Sequence, residues 1–290
     1  MSAEAVSQPY VRRPSTLGEV LRRHPQVAIG ATLLLILVAI ALLAPWIADA
    51  DPRKLNPGAR LRPPSAQHWF GTDQLGRDLF ARVIYGAQIS LFVGFSVALL
   101  SSVIGTAVGM LSASTRALDA VVMRIMDGVM SIPAILLAIA LMAVAGGSVT
   151  NVIVAVTIVE VPRVARLIRG IVLSLREQPY VEAAIAAGTS HPRIMTRHLL
   201  PGIVAPLIVQ ATFVWATAMI LEAALSFIGA GTPPTIPSWG SILADGRALW
   251  QVRPTLIFFP AIFLAVTLLA VNMLGDGLRD FLDPRQEQAV

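Results

Sequence analysis

Few residues of this chain could carry out chemistry. The 290-residue sequence has no cysteine and four histidines, and no two histidines stand in the H-x-x-x-H spacing of a helical metal site. It therefore offers no disulfide, no thiolate metal site and no cysteine nucleophile. Since no other nucleophile–base set is apparent, the residues predict a protein that is not an enzyme and holds no metal.

Residues 71–78 come closest to a catalytic motif. They read Gly-Thr-Asp-Gln-Leu-Gly-Arg-Asp, with the glycine spacing of the phosphate-binding loop G-x-x-x-x-G-K-[ST]. Arg77 and Asp78 occupy the positions of the lysine and of the hydroxyl residue, and a carboxylate there would repel phosphate. No predicted strand precedes the loop. We expect no nucleotide binding here and no ATP hydrolysis by the chain alone.

A second cluster, at residues 173–202, has the pattern of two short helices. Residues 182–187 are strong helix formers, and Gly188 is a natural helix stop. Thr189 or Ser190 can cap a following helix, which would carry Pro192 in its first turn. Compact loops are usually shorter than this elbow. The pattern predicts an ordered docking surface, the alternative being a simple loop.

Polar residues within long apolar tracts are candidates for lining a pathway across a membrane, if these tracts span a bilayer. Glu222 stands alone among apolar residues, and a carboxylate inside a bilayer is costly enough to suggest a function. The candidates are Gln210, Trp215, Glu222, Glu160 and Arg163. Trp215 and Glu222 lie on nearly the same helix face, whereas Gln210 and Glu222 differ by about 120° and cannot both point at a pore centre. The alternative for Glu222 is a structural hydrogen bond to a neighbouring helix.

The remaining charges in these tracts are arginines and one aspartate. Arg163, Arg166 and Arg169 recur every three residues and favour either a polar inner vestibule or side chains that reach the inner headgroups. Arg124 and Asp127 are three residues apart, so the spacing predicts an ion pair within one helix.

The composition indicates the environment in which these residues lie. The chain is 56% hydrophobic and 13% charged, about half the roughly 25% charged residues of a soluble domain. It is too poor in charge to cover a water-soluble globule, and too apolar to be disordered. Both observations predict a protein that lies in a lipid bilayer. The net charge of +5 fits loop topology better than nucleic-acid binding.

Charge-free tracts predict six transmembrane helices and their connections. At 1.5 Å per residue, the 22 uncharged residues 27–48 span about 33 Å, one hydrocarbon core, and they lie too far from the N-terminus for a cleaved signal peptide. Gly146, Gly147 and Ser148 separate the third and fourth helices. The predicted helices are residues 27–48, 87–111, 119–145, 151–172, 203–229 and 255–275. The predicted connections are an N-terminal tail at 1–26, an outer loop at 49–86, an inner loop at 112–118, the inner elbow at 173–202, an outer loop at 230–254 and a C-terminal tail at 276–290.

Two further features concern the start of the second span and the orientation of the chain in the membrane. Leu79, Phe80, Val83 and Ile84 recur at helical spacing, which predicts a short amphipathic helix in the interface before the second span. With both termini in the cytoplasm, the inner segments hold 14 lysines and arginines and the outer segments hold 8. This bias favours that orientation.

The order of four motifs resembles one branch of the ABC importer permeases, the dipeptide, oligopeptide and nickel branch, and within it the second permease subunit of a peptide importer. The resemblance covers about residues 15–286. Its motifs are the E-A-A loop at Glu182, Ala183 and Ala184 with Gly188 and with His198, Leu199, Leu200 and Pro201, the outer motif at Gly71, Thr72, Asp73, Gly76, Arg77 and Asp78, and the segments 237–240 and 275–285.

The resemblance implies an all-α integral membrane protein with the type I ABC importer permease fold and a cytosolic E-A-A coupling helix. It implies a bacterial plasma membrane location, with a homologous permease, two ATPase subunits and an extracytoplasmic solute-binding protein as partners. ATP and magnesium would bind the ATPases, so this chain would carry no cofactor. Glu182, Ala183, Ala184, Gly188, His198, Leu200 and Pro201 would form the coupling region.

The cargo is less well specified than the architecture. Where members of the branch often read Trp-Pro-Gly-Tyr-Ala-Arg, this chain reads Val-Pro-Arg-Val-Ala-Arg at residues 161–166, after Glu160. Peptides are the expected cargo, while nickel, glutathione or another small solute stays open. A secondary transporter is a more distant alternative, because the sequence shows neither coupling-ion sites nor an inverted repeat.

Overall fold

Helices make up most of the part of the chain that the computed structural model describes, residues 25–282, and no β-strand occurs within it. The predicted N-terminal tail lies almost wholly outside the described residues, as do residues 283–290. The helices are α1 (Pro25–Leu42), α2 (Ala44–Ile47), α3 (Leu79–Ser112), α4 (Arg116–Met130), α5 (Ala134–Ala145), α6 (Val149–Arg176), α7 (Pro179–Ala186), α8 (His191–Arg193), α9 (Leu200–Phe227), α10 (Trp239–Gly246) and α11 (Thr255–Leu282).

Four helical stretches within residues 25–282 are long and apolar enough to cross a membrane. They are α1, α3, the stretch His191–Phe227 that includes α9, and α11. The pair α4 and α5 would add a fifth, bent by 89°. The 28 residues of α6 are long enough to cross, at about 42 Å, but include Glu160 and several arginines.

The second span differs from its prediction. Instead of a separate interfacial helix followed by a span at 87–111, α3 is one helix of 34 residues, about 51 Å long. Asp78 caps its first turn by accepting a hydrogen bond from the Ala81 amide at 2.8 Å. Leu79 and Val83 are buried, because the outer segments cover the face that the amphipathic pattern predicts to lie in the membrane interface.

The third span also differs from its prediction as one helix at 119–145. It breaks after Met130, and α5 starts at Ala134 in a new direction. Pro133 explains the break, because proline has no amide hydrogen and its ring clashes with the preceding turn. α5 ends at Ala145, and Ser148 caps α6 by accepting a hydrogen bond from the Asn151 amide at 3.0 Å.

Glycines bring the long helices together. A Cβ atom added to Gly105 of α3 would lie 2.6 Å from Val164 Cβ of α6, and one added to Gly275 of α11 would lie 2.2 Å from Thr212 Oγ1 of α9. The G-x-x-x-G spacing of Gly105 and Gly109 therefore serves close packing of α3 against α6. The last span is longer than predicted, because α11 continues to Leu282 and includes most of the motif at 275–285.

Candidate functional site

The inner elbow consists of α7, a turn at Gly188, and a helical stretch that leads into α9. Glu182, Ala183 and Ala184 lie on α7, where Val181 is the one buried residue. Ile185 is 52% exposed and Tyr180 is 48% exposed. A short helix that presents apolar side chains on a connecting segment is suited to docking against a partner.

Gly188 ends α7 in a left-handed conformation, with φ of +79°. Its amide donates to the Ile185 carbonyl at 2.9 Å, and the Thr189 amide donates to the Ala184 carbonyl at 3.0 Å. These two bonds form a Schellman motif, which favours glycine at this position. A Cβ atom added to Gly188 would meet nothing within 4 Å, so the restriction comes from the backbone and not from crowding.

A π-helical segment at Ile194–Leu199 joins the elbow to α9. The Leu200 amide donates to the Met195 carbonyl, five residues back, and Pro201 follows in the first turn of α9. Because Pro201 has no amide hydrogen and crowds the carbonyl four residues earlier, the widened turn has a local cause. His198 lies in this segment, and its backbone carbonyl accepts from Tyr180 Oη at 3.4 Å.

Glu222 contributes no exposed surface to a pathway in this structure. Its side chain is buried, and Oε1 accepts a hydrogen bond from Ser226 Oγ at 2.8 Å. From Ser226 a chain of hydroxyl contacts leads through Thr232 at 3.3 Å to Ser238 at 3.2 Å. Ser238 in turn caps α10. The hydrogen bond from Ser226 lies within α9 and not between neighbouring helices, and the hydroxyl chain that continues from it joins α9 to the outer segment that follows.

This network predicts different outcomes for two replacements of Glu222. Glu222→Gln keeps an oxygen for Ser226 and should change thermal stability little, whereas Glu222→Leu removes the acceptor and should cost about 1–3 kcal/mol. The check is thermal unfolding of the purified assembly together with its transport rate. A Gln variant that is as stable as the parent but inactive would contradict this structural role and assign the carboxylate to the pathway.

Glu160 and Arg163 form an ion pair on α6. Glu160 is fully buried and its Oε2 accepts from Arg163 Nη1 at 2.8 Å. The Arg163 side chain is 48% exposed, so one partner faces the interior of the chain and the other faces a surface. Of the charged residues predicted to line a pathway, Glu160 and Glu222 are buried, and Arg163 alone keeps an exposed side chain within residues 25–282.

The predicted ion pair between Arg124 and Asp127 does not form. Asp127 instead pairs with Arg166, and Asp119 pairs with Arg169, where Nη2 and Oδ2 are 2.5 Å apart. The acidic side chains of α4 face Arg166 and Arg169 of α6, and its apolar side chains are exposed or half-buried. The two ion pairs therefore join α4 to α6.

Gln210 and Trp215 are both half-buried on α9. Trp215 packs on α3, where a Cβ atom added to Gly94 would lie 2.4 Å from the indole ring. Its ring also meets Phe95 edge to face, with the centroids 5.5 Å apart. The contacts of Trp215 are thus packing contacts between α3 and α9.

The outer motif is a folded loop whose charges are bound within the chain. Asp73 is buried and uses both oxygens: Oδ1 accepts from the Leu75 and Arg77 amides at 2.8 and 3.0 Å, and Oδ2 accepts from Arg77 Nε and Arg82 Nη1 at 2.6 Å each. Gly71 and Gly76 have φ of +84° and +73°. The glycines therefore shape the turns of a loop that pairs its own charges.

Asp245 completes this cluster from α10, and sequence reasoning missed it. Its Oδ2 accepts from Arg77 Nη2 and from Arg82 Nη1, each at 2.9 Å. The resulting set of two arginines and two aspartates, which we call the outer clamp (Asp73, Arg77, Arg82 and Asp245), is neutral overall. Asp245 is the only acidic residue in segment 230–254, so charge balance was the signal that could have found it.

Trp239 secures the same outer segment. Its side chain is buried, Nε1 donates to the Val83 carbonyl at 3.0 Å, and its amide donates to Ser90 Oγ at 3.1 Å. Gly240 next to it lets α10 approach α9, since an added Cβ would lie 2.6 Å from Ala223 Cα. Segment 230–254 thus folds back onto the helices and is held against α3 and α9.

Comparisons with known families find two matches along the chain. The family described as "Binding-protein-dependent transport system inner membrane component" matches residues 105–288. The domain described as "N-terminal TM domain of oligopeptide transport permease C" matches residues 19–64.

Individual proteins agree with these matches. A probable peptide ABC transporter permease protein of Sinorhizobium fredii is 50% identical over 94% of each chain. A glutathione transport system permease protein of Escherichia coli is 43% identical over 91% of this chain and 88% of its own length. A chain of the MetNI methionine ABC transporter, solved in an inward-facing conformation, has a TM-score of 0.61 at 22% identity, covering 71% of this chain and 98% of that one. The last likeness shows a shared fold.

Proposed function

Because the chain belongs to the family of binding-protein-dependent transport system inner membrane components, and so is a membrane permease of an ABC importer, we propose that its cargo is di- and oligopeptides. The relative from Sinorhizobium fredii is named for peptides, and at 50% identity it matches 94% of this chain. The same architecture importing nickel, glutathione or another small solute is the alternative, and the relative from Escherichia coli is named for glutathione.

In the proposed assembly the chain forms half of a translocation pathway with a homologous permease. It crosses a bacterial plasma membrane six times, with α4 and α5 together making the third crossing and α6 the fourth, and both termini in the cytoplasm. Two ATPase subunits bind on the cytoplasmic side, and a solute-binding protein docks on the outer side. The family membership of the chain supports these partners as a class.

The inner elbow is the proposed coupling site. The observation that carries this role is an exposed helix, α7, whose motif residues Glu182, Ala183 and Ala184 precede a left-handed turn at Gly188 and a π-helical segment that enters α9. Closure of the ATPases on ATP would push α7, and His198, Leu200 and Pro201 would pass that movement to α9. This transmission of movement from α7 to α9 requires no catalytic residue of this chain.

The chain alone is therefore expected to hydrolyse no ATP, because residues 71–78 pair their charges internally and the nucleotide sites belong to the ATPases. Phosphate release by the purified chain, measured with and without its ATPase partners, checks this. Hydrolysis that persists without the partners and disappears in an Arg77→Ala variant would show that the loop binds nucleotide after all.

The test of the cargo is uptake by the complete importer in proteoliposomes with its own binding protein. Labelled dipeptides and oligopeptides should accumulate with ATP, and unlabelled peptide should compete. Nickel or glutathione that accumulates while peptides do not would replace the proposed cargo without changing the architecture.

A further inference from the structure

The interface between α3 and α6 has a fixed register. Gly105 faces Val164, and Gly109 faces Ile168, where an added Cβ would lie 2.9 Å from the Ile168 Cβ. From the first contact to the second, both helices advance by four residues in the same direction. The two helices therefore run parallel here, and residues one turn earlier on each helix must also face one another.

One turn earlier, this register places Ser101 of α3 opposite Glu160 of α6. Thr157 lies three residues before Glu160 and therefore on the same face of α6. All three side chains are more than nine-tenths buried: Ser101 and Glu160 are 0% exposed, and Thr157 is 6% exposed. The register thus places three buried polar groups on the facing sides of α3 and α6, within about one helical turn of one another.

Each of these groups has a polar atom that no side chain or backbone group of residues 25–282 satisfies. The atoms are Ser101 Oγ, Thr157 Oγ1 and Glu160 Oε1. Hydroxyls inside helices ordinarily bond to a carbonyl of the preceding turn, as Thr217 does with Phe213 at 2.9 Å and Thr267 does with Phe263 at 2.7 Å. Ser101 and Thr157 do not do so, which leaves both hydroxyls available to a common partner.

We propose that a buried water molecule binds between α3 and α6, bridging Glu160 Oε1, Ser101 Oγ and Thr157 Oγ1. Buried waters typically make about three hydrogen bonds to polar groups that would otherwise lack them, and these three groups are such a set. The water donates to the carboxylate and to one hydroxyl, and accepts from the other.

Charge balance selects water over a monovalent cation. Glu160 already pairs through Oε2 with Arg163 Nη1 at 2.8 Å, so the pair is neutral. A cation at Oε1 would leave an uncompensated positive charge among buried residues, which is costly, whereas water adds none. The water also fixes the Glu160 carboxylate from the side opposite Arg163 and so holds the half-exposed guanidinium in place. This inference does not depend on the cargo.

The first test is a structure of the assembled importer in lipid nanodiscs at a resolution that shows waters. A density peak within hydrogen-bonding distance of all three oxygens is the expected result. Direct contact of either hydroxyl with Glu160 Oε1, with no peak between them, would overturn the proposal.

The second test uses the sign of a stability change in the same assembly. With the water present, Ser101→Ala and Thr157→Val each remove one of its partners and should lower the Tm by roughly 2–4 °C. Without it, removing an unpaired buried hydroxyl should leave the Tm unchanged or raise it, and that result would overturn the proposal. Ser102→Ala is the matched control, since Ser102 is also buried and unpaired within residues 25–282 but is turned by about 100° around α3 from Ser101. The Tm of this variant should not fall.

A third measurement distinguishes the ligand. The Tm in sodium chloride and in choline chloride of equal ionic strength should agree. A rise in Tm specific to sodium would show that the site binds a cation instead of water.

Discussion

Gly188→Val is expected to abolish most of the transport activity while leaving the chain inserted in the membrane. Gly188 has φ of +79°, a region that costs a residue with a side chain about 1–2 kcal/mol and a β-branched residue more. That strain alone lowers the population of the native turn roughly five- to thirty-fold. The new valine side chain would also be exposed on the surface of the elbow, which is the proposed contact with the ATPase. Uptake of labelled peptide per inserted permease measures the loss.

Two further variants control this experiment. Gly229 ends α9 in the same left-handed conformation, with φ of +85° and nothing within 4 Å of an added Cβ. Gly229→Val therefore carries the same strain at the other end of the molecule and should retain much more uptake. Gly188→Asn should also retain uptake, because asparagine tolerates this conformation. Equal losses in both valine variants would remove the argument for a special role of the elbow.

Asp73→Ala is expected to open the outer segments. Asp73 is the buried acceptor that separates the guanidinium groups of Arg77 and Arg82, both of which are also buried. Its removal leaves two like charges sharing the partly exposed Asp245, and breaking a buried ion pair in this way costs about 3–5 kcal/mol. Limited proteolysis of the outer loop from the outer side should become faster, and the yield of assembled importer should fall.

Asp51→Ala is the matched control, since Asp51 is an exposed aspartate in the same outer segment, whose side chain accepts from the Arg53 amide at 2.8 Å. Proteolysis of that variant should match the parent. If Asp73→Ala also matches the parent in proteolysis and yield, the outer clamp does not hold the segments together.

The elbow and the outer motif illustrate what the sequence could predict. Gly188 indicates a helix end by its residue type alone, because a left-handed turn strongly favours glycine. The fold and the family similarly follow from charge-free tracts and ordered motifs. These features are local, or depend on residues that stand close together in sequence.

The break of the third span at Pro133 has a local cause, whereas other errors concern partners that are distant in sequence. Asp127 stands three residues from Arg124, yet it pairs with Arg166, which is 39 residues away, because α4 packs across α6. Asp245 meets Arg77 across 168 residues. Similarly, the amphipathic pattern of the first turns of α3 predicts an interfacial helix only if no other segment covers it, and Trp239 from the second outer segment does cover it. Spacing along one helix carries no information about such contacts.

The most direct test of the coupling account is site-specific cross-linking at α7. The chain contains no cysteine, so a single Ile185→Cys variant gives one attachment point for a photoreactive group, at a position that is 52% exposed. In the assembled importer, illumination should join this chain to an ATPase subunit, and the yield should change when ATP is added. Val144→Cys, 91% exposed at the opposite end, should give no such product. Absence of an ATPase adduct from position 185, in an importer that still takes up peptide, would contradict the assignment of the elbow as the coupling site.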